Sequence, residues 1–134
     1  MGLFSKTPKP NPKITIDGIE IELRHHERWE FTYRGTTFSS FELSLTLPTK
    51  AELDAILNTV DSLQAEMRSR VMKELSEYGD DVKLGDGASC SVDVGHFAAE
   101  KTFVISWSGG ASWGDLAVDF TIRGQEIVDE AWGD

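Results

Sequence analysis

Cysteine is almost absent from this 134-residue chain: Cys90 stands alone, so no intrachain disulfide can form and zinc sites built on several thiolates are excluded. A reducing compartment fits that usage. Long apolar runs are missing too. No stretch approaches the roughly 18 uninterrupted apolar residues of a membrane-crossing helix, and Met1-Gly2-Leu3-Phe4-Ser5-Lys6 lacks the apolar heart of a secretory signal. A myristoylation signal needs Ser or Thr where Lys6 stands. These absences together lead us to expect a cytoplasmic protein with no membrane association.

Proline is scarce and unevenly placed. Three of the four prolines, Pro8, Pro10 and Pro12, fall among Lys6, Lys9 and Lys13, a composition that favours a solvated, extended segment. Residues 1–13 therefore read as a flexible basic arm, and residues 14–134 as a single domain.

Basic residues are few: 13 Lys and Arg stand against 23 Asp and Glu, a formal net charge of −10. That balance repels a phosphate backbone, so direct nucleic-acid binding is not expected. The acidity is concentrated. Residues 1–78 hold 10 basic and 12 acidic side chains, whereas residues 79–134 hold 3 and 11. A field of this sign speeds encounter with cationic partners.

The periodicity of the apolar residues gives the fold. Ile14 and Ile16, then Ile19, Ile21 and Leu23, alternate with polar residues around Asp17-Gly18, a hairpin signal. Trp29, Phe31 and Tyr33 lead to Arg34-Gly35, and Phe38, Phe41, Leu43, Leu45 and Leu47 follow; the change of parity after Phe38 predicts a bulge at Ser39-Ser40. After Pro48, Thr49 and Glu52 form a capping box ahead of Leu53, Ile56, Leu57, Val60, Leu63, Met67, Val71, Leu75 and Tyr78. The spacing predicts one helix over residues 50–78 closed by Gly79, with Glu66 and Arg70 paired on its wet side. Strand patterns then run through Cys90 to Val94, Phe103 to Trp107, Leu116 to Ile122, and a segment around Ile127 and Val128, with a turn at Arg123-Gly124. The ββββ-α-ββββ order predicts an α+β architecture: an antiparallel sheet of about six to eight strands, with one long amphipathic helix on its apolar face. The residues alternating with the apolar set in the last strands include Ser91, Asp93, Ser106, Asp115, Asp119 and Thr121, so the opposite face should be polar and acidic.

Chemical motifs are weak. Gly110-Ala111-Ser112-Trp113-Gly114 spells the nucleophile-elbow pattern, but a strand pattern follows it instead of a helix and no His lies beyond Ser112. His25 and His26 are adjacent, which points them to opposite sides of a strand, and His96 is remote in sequence. Asp80, Asp81 and Asp86 lack the EF-hand order. No catalytic set, metal site or cofactor is read from these residues, and a non-enzymatic role is favoured. The favoured reading is an acidic binding protein that engages a basic protein partner, as an inhibitor or immunity-type antagonist of a basic nuclease does. Asp93, Asp115, Asp119, Asp129 and Glu130 supply the charge, and Trp113 a central anchor. The alternative is a small-ligand or carbohydrate-binding domain, or a small enzyme, with a loop pocket near Trp113. A homodimer through the helix stripe or a sheet edge is a further expectation.

Overall fold

In a computed structural model, residues 12–16, 18–24, 28–40, 47–78, 89–109 and 116–133 are described. The predicted ββββ-α-ββββ order is the order observed. The strands are β1 (Lys13–Ile16), β2 (Ile19–Arg24), β3 (Arg28–Tyr33), β4 (Thr36–Ser40), β5 (Ser89–Asp93), β6 (Thr102–Ser108), β7 (Ala117–Arg123) and β8 (Glu126–Gly133). They lie side by side in sequence order in one eight-stranded sheet. Every neighbouring pair is antiparallel except β4 and β5, which run parallel. Parallel neighbours need a long crossover, and helix α1 (Lys50–Leu75) lies in the connection between these two strands.

The turns follow from backbone chemistry. At β3–β4 both two-residue loop positions have positive φ, Arg34 at 49° and Gly35 at 82°, the type I′ geometry whose twist matches the flanking strands. The last hairpin turns at Gly124-Gln125 and not at Arg123-Gly124: Arg123 still pairs with Glu126 in the ladder, and Gly124 supplies the positive φ of 62°. The bulge expected at Ser39-Ser40 is not there: Trp29 pairs with Ser40 and Glu30 with Ser39 in regular register, and both serines are buried, Ser39 beside Asp93 of β5. The ladder is instead irregular in β8, where Thr121 pairs with Asp129 and Ile122 with Ile127, leaving Val128 as the extra residue.

Helix α1 begins with the expected capping box: the Glu52 N–H donates to Thr49 Oγ1 at 3.1 Å, and the Thr49 N–H to Glu52 Oε1 at 3.0 Å. Its α-helical part ends at Leu75, three residues before the expected end, and Ser76–Tyr78 tighten into a 3₁₀ turn. Ser76 accounts for that: its Oγ donates to the Lys73 carbonyl at 2.6 Å, and its N–H to the Glu74 and Met72 carbonyls. Those bonds satisfy acceptors that a longer helix would otherwise use. A four-residue helix, α2 (Phe97–Glu100), was not legible beforehand; its Lys101 cap sits in the left-handed region at φ 57°.

The core lies between the sheet and α1. Leu53, Ile56, Val60, Leu63, Met67, Val71 and Leu75 of the helix meet Ile21, Phe31, Phe38, Val92, Ile105, Phe120 and Ile122 of the strands, all buried. Phe31 and Phe38 stack with ring centroids 5.2 Å apart. Two polar contacts pin the helix from either side of its apolar stripe. Tyr33 Oη donates to Asp54 Oδ1 at 2.8 Å, and Arg70 reaches both Glu66 (2.8 Å) and Glu130 (3.3 Å). Among the described residues no helix is long and apolar enough to cross a membrane.

Candidate functional site

Strand pleating sends alternate side chains to opposite faces. One face carries the core under α1. The other carries Glu20 and Glu22 of β2, Glu30 of β3, Asp93 of β5, Asp119 of β7 and Asp129 of β8. Register aligns four of these in one row across all eight strands: Lys13, Glu22, Glu30, Ser39, Asp93, Val104, Thr121 and Asp129 are successive ladder partners. With strands about 4.8 Å apart, the row from Glu22 to Asp129 spans about 29 Å. Asp119 lies in a parallel row, Ser91–Ser106–Asp119–Ala131.

The two halves of this face differ in compensation. On the β1–β3 side, Lys13 Nζ lies 3.3 Å from Glu20, and Arg28 Nη2 lies 3.5 Å from Glu30. On the β5–β8 side, Asp93 Oδ1 accepts from the Gly95 N–H at 2.8 Å, and Asp119 Oδ1 from Ser106 Oγ at 2.6 Å. Those donors are neutral, so neither bond sets a cation beside the carboxylate. Arg123, at the end of β7, forms no ion pair with them among the described residues. Beside β2–β4 a groove of about 600 Å³ is lined by Glu20, Glu22, Glu30, Thr32 and Thr37 and also by two cations, Arg34 and Lys50.

The expected site residues thus separate. Asp93, Asp119 and Asp129 share the open face. Glu130 does not: it pairs with Phe120, an inward residue, and it accepts from Trp132 Nε1 at 2.8 Å and from Arg70 at 3.3 Å. Its role is to tie β8 to α1. The reason is parity, because Asp129 and Glu130 are adjacent on a strand and must point to opposite sides. Trp113 and Asp115, with the rest of the Gly110–Gly114 loop, lie outside the described residues, as do His25, His26, Asp80, Asp81 and Asp86. Glu20, Glu22 and Glu30 were not singled out from the sequence, although their alternation with Ile19, Ile21, Leu23, Trp29 and Phe31 already assigned them to the polar face.

Other reactive groups offer little chemistry. Cys90 points toward the helix, and burial pushes its thiol up from the ordinary range, partly opposed by a hydrogen bond with Gln64; a thiol raised in this way is a poor nucleophile at neutral pH. His96 is exposed at the start of α2 and makes no side-chain capping bond. No group of three or more His, Cys, Asp or Glu among the described residues is arranged to hold a metal ion. The capping bond from the Thr49 backbone lowers the Glu52 carboxyl, with further help from Lys101. The Tyr33 hydroxyl, followed by Arg34, lowers that of Asp54. Both are structural uses of charge. An apolar slot of about 240 Å³ opens beside α1, between Ala55, Ile56, Thr59, Phe97 and Phe103. That volume is below the roughly 300–1,000 Å³ of small-molecule sites. No protein-family model, curated protein or solved structure matches the chain.

Proposed function

We propose that this is a cytoplasmic binding protein whose open sheet face engages a basic protein partner, in the manner of an inhibitor or immunity-type antagonist. The observation that carries the reading is the gathering of Glu20, Glu22, Glu30, Asp93, Asp119 and Asp129, from five strands, onto the face that α1 leaves uncovered. Asp119 and Asp129 are its best contributors, being exposed and in no ion pair among the described residues. Opposed potentials of this kind raise association rates more than they lower dissociation rates.

Both sheet edges argue against assembly by strand addition. The β1 edge is four residues long and preceded by Pro12. The β8 edge carries a bulge at Val128 together with Glu126, Asp129 and Glu130. Short strands, proline, bulges and charge all discourage edge-to-edge pairing.

The test is affinity capture from lysate with the intact chain, followed by kinetics on the captured species. The proposal expects enrichment of a basic protein, lost with Asp119→Lys plus Asp129→Lys and retained with Asp61→Lys plus Glu77→Lys on the exposed side of α1 and its 3₁₀ extension. Equal capture by both double variants would count against it.

A further inference from the structure

We draw no further inference here: the strongest candidate, the apolar slot between α1, α2 and β6 lined by Ala55, Ile56, Phe97 and Phe103, has the mutually compensating Glu52–Lys101 pair on its border and nothing in the structure shows what covers it.

Discussion

The two faces of the sheet are built from the same strands by the same alternation, yet they differ in what they can do. On the covered face Phe38, Ile105, Phe120 and Ile122 are fully removed from water, and every neighbour is fixed by close packing. On the open face Ser106, Asp119, Thr121 and Asp129 meet solvent to different degrees, and little there depends on shape. The contrast separates packing from surface charge residue by residue: one position along a strand moves a side chain from the energetics of the fold to the electrostatics of the surface.

The sharpest way to break this comparison is on β7. Phe120→Ala should cost about 3–5 kcal/mol in urea denaturation, the lost transfer energy plus the cavity left behind. Its neighbour Thr121→Ala should fall within about 0.5 kcal/mol of the parent. Comparable losses would show that the open face is also packed.

A finer contrast uses Asp129 and Glu130. Removing the Glu130 carboxylate leaves Trp132 Nε1 and Arg70 without that acceptor, so Glu130→Ala should lose about 1 kcal/mol of stability. Asp129→Ala should leave stability unchanged but slow association with a cationic partner. At the helix start, Thr49→Ala removes one half of the capping box and should also cost about 1 kcal/mol, with the open face unaffected.

The smallest effect is in pH dependence. The Tyr33–Asp54 hydrogen bond raises the phenol and lowers the carboxyl from their ordinary values. A lowered carboxyl contributes stability above its unfolded value, lost as pH falls through the folded one. A raised phenol contributes below its unfolded value, lost as pH rises through the folded one. The advantage of the parent over Tyr33→Phe should therefore be widest between the two ranges and narrow at both ends, as read by chemical denaturation across pH. A constant difference would contradict the assigned bond.

Much of the fold was legible because periodicity reports burial directly. Ile19, Ile21 and Leu23 at period two, and the helical run from Leu53 to Leu75, each have one way to hide their apolar side. What escaped depended on contacts distant in sequence. Ser39 and Ser40 read as a bulge because the apolar parity changes between Phe38 and Phe41, whereas β3 pairs with both serines in regular register and β5 pairs with Ser39 on the other side. The 3₁₀ ending depends on one hydroxyl reaching a carbonyl three residues back. Of the acidic face, parity already assigned Asp93 and Asp119 to the polar side, where they lie, but charge counting alone grouped Glu130 with Asp129, and the emphasis on residues 79–134 passed over Glu20, Glu22 and Glu30. Their partial compensation by Lys13 and Arg28 also depends on geometry that composition does not contain.

The most direct measurement of the central claim is the association rate of the captured partner as ionic strength rises from about 50 to 500 mM, a range over which the screening length contracts to a few ångströms. Steering by the open face requires the rate to fall at least about tenfold, and Asp119→Lys plus Asp129→Lys to remove most of that salt dependence. A rate indifferent to salt, or a salt response unchanged in the double variant, would contradict it.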